Sequence, residues 1–380
     1  MWMRPGFVPR VAALYAALFF YAGVQMPFLP VWMQAKGVDP TLIGVISAVP
    51  MLARLLSVPL VAREADRRDA VRAAIVLAAW ASVFGHVLLG FSVGSIAILA
   101  AYAVASLLFT PIGPMAEAYA LKGLTERGRA YGPVRLWGST TFIAGNFLGG
   151  FLLDVIPARD LIWPIVGALA LAAVAASALE PQQTIKTGQA DLARSLWRDP
   201  AFVAVLAGAS LIQASHAIFY VFSALQWQSE GLSGRMVAAL WALGVAAEIV
   251  LFAFHGRLKL TPTTYILLGA AGAVLRWLAM AMNPPTAALP FLQLLHAFSF
   301  GATHLGALTY VARRAPIGKG ASAQGQLAIA ISAVGAVATA LSGLLYSKFG
   351  IVSYAFMALA AIAGGACALI AHRRAAIALV

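Results

Sequence analysis

The sequence predicts an all-α integral membrane protein: 12 transmembrane helices in two six-helix halves. Three observations carry this. Of 380 residues, 62% are apolar or aromatic and only 10% are charged, against roughly 25% charged in a soluble domain. Apolar runs of about 20 residues, enough to cross a hydrocarbon core about 30 Å thick, recur between turn or charge clusters. The Lys and Arg residues gather in alternate loops.

The runs fall at 11–33, 41–62, 72–91, 95–117, 133–155, 160–179, 200–226, 233–254, 263–282, 288–311, 322–346 and 350–371. The first is too long for a signal-peptide core, lacks a small-residue cleavage site and holds Pro27 and Pro30, so it reads as a retained span. Turns near Ser92–Ser95 and at Asn283-Pro284-Pro285 separate spans 3 from 4 and 9 from 10. The longest polar stretch, Glu180 to Asp199, divides the chain into 1–180, a linker at 181–199, and 200–380, with six spans on each side.

Of 26 basic residues, 20 lie in the loops of one side, the terminal segments and the linker included; only Lys36, Arg159, Arg235 and Lys348 lie on the other. Positive loops stay in the cytoplasm, so both termini and the linker are expected there, in a multi-pass protein of the cell (inner) membrane. The net charge of +13 is mainly this orientation signal, helped by anionic lipid head groups, and calls for no nucleic-acid partner. The single cysteine, Cys367, excludes a disulfide framework and any CxxC redox or metal site. No HExxH, GxSxG, GxGxxG or P-loop occurs, and the loops are too short for a catalytic domain, so neither an enzyme nor a cofactor is expected.

Charge at membrane depth costs at least ~2.5 kcal/mol on insertion scales and usually faces a cavity or a partner. The candidates are Arg54, Glu117, Arg135, Glu248 and Arg276, with His86, His216, His296 and His304. Glu117 and Arg135 lie near predicted span ends, where they can also snorkel. Polar residues form stripes at helical spacing: Gln213, His216, Tyr220, Ser223 and Trp227 on span 7; Gln293, His296, Ser299 and Thr303 on span 10; Trp241, Gly244 and Glu248 on span 8. A lone Ser or Gln in such a stripe is better explained by an interhelical hydrogen bond worth about 0.6 kcal/mol; stripes that also carry Glu248 or His296 point to a cavity. His296 and His304 stand about 80° apart on an ideal helix, so no metal site is expected.

Three arginines against two glutamates leave one positive charge, which a carboxylate substrate balances, and a guanidinium fork binds a carboxylate with two hydrogen bonds. Most aromatic residues belong to lipid-facing surfaces, packing and interfacial belts; Tyr220, Trp227, Trp241, Trp137 and Trp277 alone have a claim on a site. Asp66, Arg67 and Arg68, after span 2, suit a charge lock between helix ends, or else a merely solvated loop. Arg54 lies eight residues before Ala62, and Glu248 eight before Gly256 in the corresponding loop, as in parallel repeats.

The 12 spans, the central linker and the AxxxDRR loop from Ala62 to Arg68 resemble the major facilitator superfamily, whose loop motif is GxxxDRxGRR; Ala62 and Asp69 replace its two glycines. Within it, Leu52-Ala53-Arg54, Tyr131-Gly132-Pro133-Val134-Arg135-Leu136-Trp137-Gly138-Ser139, Gln213 to Trp227, Leu243-Gly244-Val245-Ala246-Ala247-Glu248, Arg276-Trp277 and Leu295-His296 resemble the 3-phenylpropionate/proton symporter family, a branch related to lactose permease. That resemblance implies a substrate-binding role for Glu117 and Arg135 and a coupling role for Arg276, His296 and Glu248. The permease's proton-carrying glutamate is replaced by Ser299, and its charge pair between spans 7 and 10 by Phe219 and Gln293. Glu248 or Glu117 is then the expected proton carrier, since a carboxyl shielded from water can hold a proton at neutral pH.

The sequence thus leads to a proton-coupled symporter importing a small organic anion, expected to be an aromatic carboxylate, by rocking of two halves in a monomer. Substrate contacts are expected from Arg135, Glu117, Arg54, Arg276, His216, Tyr220, Trp137 and Trp241, and proton coupling from Glu248, Glu117, His296 and Arg276. A neutral sugar or nucleoside is the alternative substrate, and a non-transporting sensor the remaining alternative function.

Overall fold

The computed structural model describes residues 6–182, 196–315 and 320–377; most of the linker, at 183–195, lies outside them, with Arg4, Lys186, Arg194 and Lys319 of the loop count. The described residues form helices and turns, without a strand. In chain order the α-helices are α1 (Phe7–Ala35), α2 (Pro40–Arg67), α3 (Val71–Phe91), α4 (Ser95–Phe109), α5 (Ile112–Glu126), α6 (Gly132–Val155) and α7 (Ile162–Ser177). They continue with α8 (Pro200–Ala214), α9 (Ala217–Ser229), α10 (Gly234–Leu258), α11 (Pro262–Ala281), α12 (Leu289–Leu294), α13 (Thr303–Arg314), α14 (Gly320–Phe349) and α15 (Tyr354–Ile377).

Three starts show how the sequence sets these bounds. Asp39-Pro40, Asp199-Pro200 and Thr261-Pro262 each place a side-chain oxygen on an early backbone N–H, of Leu42, Ala201 and Thr264, with proline at the first helical position.

Among the described residues, ten stretches are long and apolar enough to cross a membrane. This differs from the 12 expected spans for two local reasons. The stretch from Ser322 to Arg374 is counted once although it contains most of α14 and α15, and 289–314 is interrupted by a π-helical segment, Ala297–Ala302, between α12 and α13. Span 4 runs longer than expected, to Glu126, with a break near Thr110-Pro111. Glu117 therefore sits well inside a helix and not at its end.

The chain forms two compact units: Met1–Thr187 with Ala224–Ala239, and Gly188–Ser223 with Leu240–Val380. Residues 224–239, expected in the second half, group with the first unit. There Asp154, near the end of α6, accepts bonds from the backbone N–H of Gly234 at 2.6 Å and of Arg235 at 3.2 Å, and from Arg235 Nε at 2.9 Å. A carboxylate satisfying the unpaired N–H groups of a helix start is a strong local anchor.

In the first unit α1 packs on α6 and α7, and α3 on α4 and α7. Glycines allow the tightest of these crossings: a Cβ at Gly23 would strike the Phe142 carbonyl, and one at Gly145 the Phe20 carbonyl. In the second unit α8 packs on α14 and α15, and α11 on α13 and α15. Counting α8–α9 as span 7 and α12–α13 as span 10, the pairings 1·5, 1·6, 3·4 and 3·6 recur as 7·11, 7·12, 9·10 and 9·12, the order that parallel repeats require.

Several loop arginines also have local partners. Arg72 Nε donates to the Leu179 carbonyl at 2.6 Å, Arg10 to that of Ala178 at 3.2 Å, and both Arg10 and Arg127 pair with Glu180. They satisfy carbonyls left open at the end of α7.

Candidate functional site

In the first unit the polar group forms around Glu117 on α5, Arg54 on α2, Arg135 in the first turn of α6, and Tyr15 and Phe19 on α1. Glu117 lies within electrostatic reach of Arg54 and of the Tyr131 hydroxyl. The Tyr131 and Tyr15 hydroxyls are 3.1 Å apart. The Arg135 guanidinium lies over the Phe19 ring at 4.2 Å; Tyr15 stacks parallel to Phe19, and Tyr131 meets Tyr15 edge-on. Neither Arg54 nor Arg135 is ion-paired with a carboxylate among the described residues. Helical geometry makes this possible: Tyr15 and Phe19 are four residues apart, on one face of α1.

Trp137 is not part of this group. Two residues beyond Arg135 on the same helix, it points to the other side and is 57% exposed. Tyr15, Phe19 and Tyr131 are the members that sequence reasoning missed, because uncharged aromatics on an apolar span look like belt or packing residues.

In the second unit a chain of donors and acceptors surrounds Arg276, which is fully buried on α11. Its guanidinium is stacked against Phe219 at 4.4 Å and Trp277 at 4.6 Å. It donates to the Gln293 side-chain oxygen, to His296 Nδ1 at 3.1 Å and, at 3.5 Å, to the Ser299 hydroxyl. An arginine can only donate, so His296 Nδ1 is the acceptor and its proton sits on Nε2, which faces a Glu248 carboxylate oxygen at 3.8 Å. His216 is fixed the other way. Its Nδ1 faces the Ile212 and Gln213 carbonyls at 3.1 and 3.2 Å, so it carries the proton, and Nε2 accepts from Ser299 at 3.0 Å.

Two helix distortions meet at that His216–Ser299 bond. Span 7 breaks between α8 and α9 at Ser215 and His216, whose side chains bond the freed carbonyls. Span 10 widens into its π-helical segment directly after His296, a form found mostly at functional sites. Two glycines make room beside them: a Cβ at Gly244 would approach His296 to 3.2 Å, and one at Gly301 would approach Glu248 to 3.2 Å.

Tyr220 stacks on His216, and Trp241 lies against Tyr220 and Phe219. Trp241 donates to Ser223 at 3.1 Å and Trp277 to Ser215 at 2.9 Å. Phe219, Gln293 and Ser299, the uncharged substitutes noted in the sequence, are thus the groups that contact Arg276. Trp227, on the predicted stripe, falls in the first unit. Arg276 Nε and Gln293 Nε2 are buried donors without a hydrogen-bond partner among the described residues.

Arg67 and Arg68, expected with Asp66 in a charge lock or else in a solvated loop, pair among the described residues with Glu64, one helical turn away. Asp69, at the motif's second glycine position, adopts φ +52°, a left-handed conformation costing most residues roughly 1–2 kcal/mol and tolerated by Asp. Asp69→Gly should therefore preserve thermal stability, and Asp69→Val should lower it by about 1–2 kcal/mol, read from unfolding of the detergent-purified protein.

A family model described as MFS_1 like matches residues 10–358. The chain belongs to this family. The probable 3-phenylpropionic acid transporter of Escherichia coli (strain K12) is 32% identical over 375 residues, covering 92% of this chain and 93% of that protein. Maltose permease of Geobacillus stearothermophilus is 28% identical over 309 residues, 80% and 78% of the two chains. The structure of nucleoside transporter NupG superposes with a TM-score of 0.81 over 97% of this chain and 99% of that one, at 14% identity. A bacterial homologue of the lysosomal transporter Spinster, inward-facing and occupied, gives 0.72 over 96% of each chain, also at 14% identity. The solved structures share a major facilitator fold with this chain, and its family and named relatives are multi-pass membrane transporters.

Proposed function

We propose that this protein is a proton-coupled symporter that imports a small aromatic carboxylate of the phenylpropionate kind by alternating access of its two halves. The observation that carries the reading is the first-unit group, in which Arg54 and Arg135 stand near one carboxylate, Glu117, and neither guanidinium is ion-paired. A monocarboxylate offsets the surplus charge, Arg135 offers it a bidentate fork, and Phe19 and Tyr15 provide flat apolar surface for a ring. The name of the E. coli relative is of the same chemical class.

The chain Glu248–His296–Arg276 is the proposed coupling device, with Arg276 and its spare Nε donor as a further anion-binding group and His216, Tyr220 and Trp241 as its aromatic wall. Asp66, Arg67 and Arg68 are assigned to the moving helix ends, and the protein to the inner membrane as a monomer with both termini cytoplasmic.

A neutral sugar or nucleoside is the second reading, favoured by the names of maltose permease and NupG. A neutral ligand, however, leaves the positive surplus uncompensated. Ligand-dependent stability of the purified protein separates the two, because a compound that binds only the folded state raises its melting temperature. Phenylpropionate and benzoate should raise it, while maltose and uridine should not; the opposite pattern would reverse the assignment.

A further inference from the structure

A guanidinium keeps its charge and only donates, so the groups around Arg276 decide what charge the second unit shows a substrate. Two of its neighbours are aromatic faces, Phe219 at 4.4 Å and Trp277 at 4.6 Å. Its hydrogen-bond partners among the described residues are a carboxamide, an imidazole nitrogen and a hydroxyl, of Gln293, His296 and Ser299. None of these five groups brings a negative charge. Glu248 stops at the far nitrogen of His296, 3.8 Å from it, and no carboxylate among the described residues forms an ion pair with Arg276.

Gln293 is the one of the five at which a carboxylate fits without a change of shape. It lies on α12, one turn before His296, and is fully buried. Because arginine only donates, the Gln293 oxygen faces Arg276 and its amide nitrogen is turned from that bond. That nitrogen and Arg276 Nε are both buried donors with no acceptor among the described residues, a rare state in folded proteins. The contact between Arg276 and Gln293 thus has donors to spare and no counter-charge, the pattern of a site whose acceptor comes with the ligand.

We propose that Gln293 is a specificity-determining residue: by holding Arg276 through a neutral oxygen it keeps that positive charge uncompensated, so that the transporter selects an anion over a neutral molecule of the same shape. This rests on the reading of the substrate as an aromatic carboxylate and adds to it a position at which the charge preference is set. A glutamate in the same place offers Arg276 two acceptors instead of an acceptor and a donor, and neutralises it within the protein.

Specificity is a difference of two affinities, so the test uses a pair of probes, 3-phenylpropionate and its carboxamide, 3-phenylpropanamide, with dissociation constants read by calorimetry on the purified full-length protein. Wild type should prefer the acid. Q293E should reduce that preference about tenfold or more, the scale of one hydrogen bond to a charged group, by weakening the acid while binding the amide no worse than wild type does. Q293M, similar in size and still neutral, should reduce the preference by less, because Arg276 keeps its charge. R276Q removes the charge itself and should lose the preference as Q293E does; it decides the matter, with Q293M, if Q293E does not purify folded. The proposal is overturned if Q293E or R276Q keeps the wild-type preference, if Q293M loses as much of it as they do, or if Q293E weakens acid and amide alike, as a packing defect would. If wild type itself does not prefer the acid, the carboxylate reading falls and this inference with it.

Discussion

Glu248→Gln is expected to abolish uphill accumulation of substrate driven by a pH gradient while leaving exchange of substrate across the membrane intact. Glutamine keeps the size and hydrogen-bonding capacity of the side chain but has no proton to release, so the variant separates translocation from coupling. Position explains why the effect falls here. Glu248 faces the protonated nitrogen of His296 at 3.8 Å, and the other nitrogen of that ring is held by the permanently charged Arg276 at 3.1 Å. His216 is already committed at both nitrogens. A second proton on either imidazole would displace an existing bond beside Arg276, and for that reason the Glu248 carboxyl is the proposed exchangeable group. Counterflow and gradient-driven uptake in proteoliposomes check it; a Gln variant that still accumulates substrate would move the proton site elsewhere, with Glu117 next in line.

Arg135→Ala should cost about 10- to 100-fold in substrate affinity, the range for losing charge-assisted hydrogen bonds to a carboxylate. Arg135→Lys should fall between the two, since it keeps the charge and loses the planar fork and its stacking on Phe19. Equilibrium binding to the purified variants is the measurement. Unchanged affinity in the alanine variant would remove Arg135 from the site and leave Arg54 or Arg276 as the anion's partner.

Helices and charges were legible in the sequence, and cross-helix partners were not. A chain so apolar marks its spans by length alone, and rare charges at membrane depth stand out, so Arg54, Glu117, Arg135, Glu248 and Arg276 could be picked without a structure. Periodicity on one helix says nothing about which neighbour a residue meets. Tyr15 and Tyr131 are 116 residues apart and Arg276 and Phe219 are 57 apart, and only packing brings each pair together. The breaks at Ser215 and after His296 carry no proline in the distorted turns, so the usual breaker signal was missing. Trp137 was drawn in by adjacency to Arg135, although a separation of two residues on a helix turns side chains apart. For Asp66, Arg67 and Arg68 composition leaves a charge lock and a solvated loop both open; the partner that Arg67 and Arg68 have in the structure is Glu64, one helical turn away on the same face.

Position-by-position comparison with lactose permease had a similar limit. Phe219, Gln293 and Ser299 register there as lost charges. In the folded second unit they are the face, acceptor and hydroxyl that Arg276 uses instead. Arg276 is held by stacking and neutral hydrogen bonds.

The central claim is tested most directly by uptake of labelled 3-phenylpropionate into proteoliposomes with the exterior made more acidic than the interior. The account predicts accumulation above the external concentration that rises with the gradient and collapses when a protonophore dissipates it. Uptake that only equilibrates, or that is indifferent to the protonophore, would contradict it.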